Sequence, residues 1–167
     1  MAAQPTRALG ALKAMDHYHV GIVVTDIEAA SAKLSGLLGI TWGPIMHLDA
    51  VEYRDEAGQD IVLPTTMRYS TGTPCLELIL EVPGSIWVRN EASNLHHIGF
   101  WSDSLPEQSE TFSAAGCPLQ LCGRAGGTTP TSFAYHRDNE LGIRMELVDG
   151  SMRDVMQFLF EPEPPTA

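Results

Sequence analysis

Polar and apolar positions alternate along this chain in a pattern that occurs twice. In the run from Asp16 to Asp26, an extended strand carries Val20 and Ile22 on one face and His19, Gly21 and Val23 on the other. The run from Asn94 to Ser104 repeats it, with Ile98 and Phe100 opposite His97, Gly99 and Trp101. A helical period follows each strand. Thr25 to Glu28 reads as a capping box, with Ile27, Ala30, Leu34 and Leu37 behind it and Gly39 as the stop. Ser104 to Glu107 reads the same way, followed by Leu105, Ser109, Phe112 and Ala115 and closed by Gly116. Three strand-like runs then complete each half, at about residues 49–54, 61–69 and 74–82, and again at 119–121, 132–136 and 142–148. Four strands and one helix cannot close a core alone, so the repeat predicts an α+β fold of two β-α-β-β-β modules. The modules form a curved mixed sheet around a cleft, with the helices outside. The expected boundaries are an N-terminal extension 1–15, a first module 16–82, a linker 83–93, a second module 94–149 and a C-terminal segment 150–167. That segment ends in an acidic, proline-rich tail expected to be disordered.

The same alternation exposes the candidate chemistry. Glu77 interrupts the apolar run Cys75 to Leu80, and Glu146 interrupts the run Met145 to Val148. A buried carboxylate without a partner costs several kcal/mol, so each needs a cation, a proton or a metal. Parity puts Leu76, Leu78 and Leu80 on the helix-covered face and Glu77 in the cleft; Met145 and Leu147 likewise oppose Glu146. Each half thus sends one His and one Glu inward: His19 and Glu77, His97 and Glu146. Two imidazoles and two carboxylates facing one cleft suit a first-row divalent ion such as Zn, Ni, Co, Mn or Fe.

Composition narrows the partners. The chain has 167 residues and a formal charge of -11, from 21 acidic and 10 basic side chains, a field that repels nucleic acid and anionic membranes. No run approaches the ~20 apolar residues of a membrane span, and the first fifteen residues do not read as a secretory signal. Cys75, Cys117 and Cys122 match no metal pattern, and a reducing cytoplasm is the expected location.

The motifs His19-Val-Gly-Ile-Val-Val-Thr-Asp-Ile-Glu28, Leu76-Glu-Leu78, Leu95-His-His-Ile-Gly-Phe100 and Met145-Glu-Leu-Val148 resemble those of the vicinal oxygen chelate superfamily. That superfamily includes glyoxalase I, methylmalonyl-CoA epimerase, extradiol dioxygenases and bleomycin-resistance proteins, and the resemblance spans roughly residues 16–150. It implies metal ligation by His19, Glu77, His97 and Glu146, and an isomerase, epimerase or lyase that stabilises an enolate-like intermediate of an oxygen-chelating substrate. Glu146 is then the proton-transfer residue. Candidate substrate contacts are Trp101, Phe133, Tyr135, His136 and Arg68, with Glu81 and His136 as candidates for a second acid or base. His17 and His96 read as structural or exposed. The run Pro64 to Arg68 lacks the second glutamate usual in the epimerases. So acidic a chain favours a neutral or apolar small molecule with an oxygen-rich end over a coenzyme A ester. A homodimer is expected, from the resemblance and from free sheet edges. The alternative is a drug- or metabolite-sequestering protein of the bleomycin-resistance type.

Overall fold

The computed structural model describes residues 12–13, 16–73, 75–124 and 127–162. Most of the N-terminal extension, including the segment read for a secretory signal, and the end of the acidic tail lie outside these residues. The chain runs through β1 (His17–Val24), α1 (Ile27–Leu38), β2 (Met46–Asp55), β3 (Asp60–Tyr69) and β4 (Cys75–Leu80). It then repeats that order as β5 (Leu95–Ser102), α2 (Leu105–Ala114), β6 (Leu119–Gly123), β7 (Thr131–Asp138) and β8 (Ile143–Asp149). A short helix α3 (Met152–Met156) continues into a 3-10 turn at Gln157–Phe160.

The helices start and stop on local chemistry. Asp26, one residue beyond the Thr25 expected from the capping box, is the N-cap of α1; its carboxylate accepts from the Ala29 N–H at 2.8 Å. Gly39 ends α1 in the left-handed region at φ 68°. Ser104 caps α2 by position, but its hydroxyl donates to the Glu107 carboxylate and leaves the backbone donors to other partners.

All eight strands close into one barrel, in the order β1-β4-β3-β2-β6-β7-β8-β5. The β1–β4 and β5–β8 pairs are parallel and the other six are antiparallel. The free sheet edges expected from two open half-sheets are therefore absent among the described residues, and a homodimer gains no support from them. Helix α1 covers the outer face of β1 and β4 through Ile27, Ala30 and Leu34 on Ile22 and Leu78. Helix α2 does the same for the second half through Leu105 and Phe112 on Ala134 and Leu147. Inside, Val23, Tyr53, Ile79, Trp87, Leu121 and Tyr135 fill one end. The C-terminal Met156, Leu159 and Phe160 pack on Tyr69 and Tyr18 at the other.

Strands β1 and β5 form the seam between the halves, and their register slips twice. His17 faces Phe100 while His19 faces Gly99, which makes Tyr18 the extra residue; Gly21 faces His97 while Ile22 faces Leu95, which makes His96 extra. Each slip therefore falls on the residue before a candidate ligand, and a bulge at such a point re-aims side chains out of strict alternation.

Candidate metal centre

His19 and Glu77 lie on parallel neighbours β1 and β4, and His97 and Glu146 on parallel neighbours β5 and β8; the β1–β5 seam joins the pairs. All four side chains are buried. Their donor atoms converge. His19 Nε2 stands 2.7 Å from His97 Nε2, 3.3 Å from Glu77 Oε2 and 3.1 Å from Glu146 Oε2. His97 Nε2 stands 3.1 Å from Glu77 Oε2 and 3.2 Å from Glu146 Oε2. Ligands bound at about 2.0–2.2 Å to one first-row ion are separated by roughly 3 Å, so the spacing and the N₂O₂ donor set fit such an ion. Both Oε2 atoms are buried without a hydrogen bond of acceptable geometry among the described residues, as expected of groups aimed at a shared cation.

Two glycines make the convergence possible. A β-carbon on Gly99 would stand 1.9 Å from His19 Cε1, and one on Gly21 would stand 1.9 Å from His97 Cε1. Each imidazole lies flat against the glycine of the other half, which is the packing reason for a doubled His-x-Gly pattern. Tyr69 opposes Glu77 in the β3–β4 register and Tyr135 opposes Glu146 in the β7–β8 register.

Protonation follows from burial and charge. Burial opposes charge on His19, but the Glu77 and Glu146 carboxylates more than offset it and hold its pKa at about 9. His97 is raised in the same way, burial working against it and Glu146 for it. Burial would raise Glu77 and Glu146, yet the imidazoles hold both below the ordinary carboxylate range. Protons thus balance the four groups in competition with a cation. Burial, then the charges of Glu77 and Glu146, keep the Tyr69 phenol protonated, and burial, then Glu146 and Glu77, do so for Tyr135.

The carboxylates open onto a cavity of ≈ 340 Å³ inside the barrel. Its wall is mostly apolar and aromatic, including Met67, Trp87 and Phe133, and Met152, Met156 and Leu159 of the C-terminal segment cover one side. Of the expected substrate contacts, Phe133 and Tyr135 line this cavity. The other three do not. His136 alternates with Phe133 and Tyr135 on β7 and so faces α2. There its Nδ1–H donates to the Cys117 carbonyl at 2.9 Å and its Nε2 accepts from the Ser109 hydroxyl at 2.9 Å. Arg68 lies on the face of β3 opposite Met67 and Tyr69 and donates to the Gly43 carbonyl at 2.7 Å. Trp101 stacks on Tyr18 with ring centroids 4.0 Å apart and borders a separate open pocket with Arg153. Glu81 pairs with Arg89 at 3.1 Å, away from the cavity.

His96, read as structural or exposed, is buried. It is 8% exposed; Nδ1 lies 2.9 Å from His97 Nδ1 and Nε2 lies 2.8 Å from the Ile86 carbonyl. Burial, then the neighbouring His97 charge, push its pKa down to about 3. The adjacent histidines His96 and His97 were the one available signal, and strict alternation argued against reading them together.

The family described as the Glyoxalase/Bleomycin resistance protein/Dioxygenase superfamily matches residues 18–152, and the chain belongs to it. Among solved structures, a methylmalonyl-CoA epimerase in complex with methylmalonyl-CoA and NH4+ is similar at TM-score 0.58 and 15% identity, over 84% of this chain and 96% of that one. A variant of the Streptomyces coelicolor epimerase with 2-nitronate-propionyl-CoA gives TM-score 0.58 and 14% identity, over 84% and 99%. The epimerase from Mycobacterium tuberculosis gives TM-score 0.54 and 16% identity, over 86% and 93%. Identities this low carry the fold alone. No curated protein sequence matches the chain.

Proposed function

We propose that the chain is a metal-dependent enzyme of isomerase, epimerase or lyase type, acting on a small substrate with an apolar body and an oxygen-rich end. The observation that carries this reading is the buried quartet of His19, Glu77, His97 and Glu146 opening onto an apolar cavity. A divalent ion held by the four would serve as a Lewis acid toward the substrate oxygens, making the adjacent carbon more acidic and easing enolate-like charge. Glu146 then takes up or returns the carbon's proton. Tyr135, protonated and opposite Glu146, steadies that carboxylate when it is charged. Trp87 and Phe133 hold the apolar body and keep bulk water away from the carbon.

The epimerases among the structural neighbours take coenzyme A esters, but the charges here argue for a smaller, uncharged substrate. Among the described residues Arg124 is the basic one on the cavity wall, and it pairs with Asp60. A second reading, sequestration of an apolar molecule, draws on the aromatic and methionine-rich wall; retention of four donors favours the enzyme.

Glu146→Gln decides between them, because an amide oxygen still ligates but accepts no proton. The expected result is retained zinc binding with hydrogen–deuterium exchange at the substrate's α-carbon slowed about 10²–10⁴-fold, measured by NMR over a panel of neutral α-oxygenated ketones. Undiminished exchange in the variant would remove Glu146 as the base. No exchange with any panel member in the metal-loaded wild type would favour sequestration.

A further inference from the structure

We propose that His96 is a positioning residue that fixes the tautomer of His97 and so presents the His97 Nε2 lone pair to the metal quartet; the inference rests on the metal reading above. Ile86 lies between β4 and β5 in a segment tied into a tight turn. The Val82 N–H donates to the Trp87 carbonyl at 2.9 Å, the Ser85 hydroxyl donates to the Val82 carbonyl at 2.7 Å, and the Trp87 N–H donates to Ser85 Oγ at 2.9 Å. The Ile86 carbonyl is therefore held in place, and a carbonyl only accepts. The nitrogen 2.8 Å from it, His96 Nε2, must carry a hydrogen. A neutral imidazole has one N–H, so His96 Nδ1 is an acceptor. His97 Nδ1, 2.9 Å away, must then donate to it, and a His97 that has given up its second proton to a cation keeps its lone pair at Nε2, among the donor atoms of His19, Glu77 and Glu146. A second hydrogen on His96 would set one N–H against another across this 2.9 Å contact, so the geometry leaves His96 Nδ1 bare.

The register slip makes this geometry available. His96 is the extra residue between Gly21 and Ile22 on the facing strand, so its ring reaches the same side as His97. The opposite ligand has no such device: His19 Nδ1 is buried with no hydrogen-bond partner among the described residues. A metal-bound histidine normally donates its second ring nitrogen to a carbonyl or carboxylate, which sets orientation and basicity. Here His96 extends that link from the Ile86 carbonyl to His97.

The test is competitive Zn²⁺ titration against a chromophoric chelator, with His96→Leu removing the acceptor while keeping bulk and His96→Asn restoring an acceptor near the Nδ1 position. His96→Leu is expected to weaken Zn²⁺ binding about 10–100-fold, and His96→Asn to recover most of that loss. Equal affinity in His96→Leu and wild type, or no recovery in His96→Asn, overturns the proposal and leaves the quartet intact. Should His96→Leu fail to fold, long-range ¹H–¹⁵N spectra of Zn²⁺-loaded wild type decide: His97 protonated at Nδ1 and His96 at Nε2 support the relay, and a proton on His96 Nδ1 overturns it. Failure of the wild type to bind Zn²⁺ or any other first-row ion would instead remove the metal reading and this inference with it.

Discussion

The two halves of the barrel hold matching side chains in different company. The first contributes Tyr18, His19, Gly21, Tyr69 and Glu77; the second contributes His96, His97, Gly99, Tyr135 and Glu146, at corresponding positions in the element order and register. The inner ring is nearly symmetric, each imidazole packed on the other half's glycine. One layer out the symmetry ends. Tyr18 stacks on Trp101, and its buried hydroxyl lacks a partner of good geometry among the described residues, whereas His96 links His97 to a fixed carbonyl. Similar frames can therefore hold chemically similar ligands with different rigidity.

The largest effect is expected where the halves interlock. Gly21→Ala and Gly99→Ala each drive a methyl into an imidazole, and both should abolish stoichiometric zinc binding and cost at least about 2 kcal/mol in urea unfolding. Gly21→Ala should be the worse of the two, because His97 is tied to His96 and Ile86 and has less freedom to yield. Equal losses would mean that the outer asymmetry does not stiffen His97.

The next effect is pH dependence after chelator treatment. The folded-state pKa of His19 is raised from 6.5 to about 9, so its contribution is complete below about pH 6.5 and is lost as pH rises through about 9. Glu77 is shifted the other way; its contribution is present above the ordinary carboxylate range and lost as pH falls through the depressed folded value. Both describe one buried pair and are counted once, on the order of 3 kcal/mol. The stripped protein should thus lose melting temperature from about pH 6.5 to about pH 9. Stabilisation by added zinc should grow over the same interval as the protons competing for the donors leave. A stripped protein whose melting temperature rises with pH there would contradict the assignment.

The smallest expected difference lies in the helix caps. Asp26→Ala removes a side-chain bond to the backbone and should cost about 1 kcal/mol. Ser104→Ala removes a hydroxyl that bonds only the Glu107 carboxylate among the described residues, and should cost a few tenths. Paired urea titrations measure both.

The parts of this arrangement that were legible in the sequence are those governed by local period and local cost. Glu77 and Glu146 stand out because a charge among aliphatics demands a partner, and alternation then points them inward with His19 and His97. Phe133 and Tyr135 follow from the same rule. The rule fails at Tyr18 and His96, where a register slip belongs to a strand pairing about eighty residues apart in sequence. His136 and Arg68, expected as substrate contacts, stand on the strand faces opposite Tyr135 and Tyr69 and face outward. The final helical segment carries a usable signal in Met152, Met156 and Leu159, which recur at helical spacing and meet the cavity. Barrel closure was not legible, because the β1–β5 and β2–β6 seams leave no trace in any short window.

Those seams have a consequence for the order in which the chain acquires structure. Hairpins such as β2–β3 and β7–β8 join near neighbours and can form early, while β1 must wait for β4 and then for β5. Closing such long loops precedes any reward from the contacts they bring, which places the chain among the slower folders, in milliseconds to seconds. The buried His/Glu quartet sits on the slow step. His19 and His97 meet across the seam that closes late, so each half can assemble its own sheet before the quartet is complete. A clamp across that seam would slow escape from the native state more than it would speed arrival.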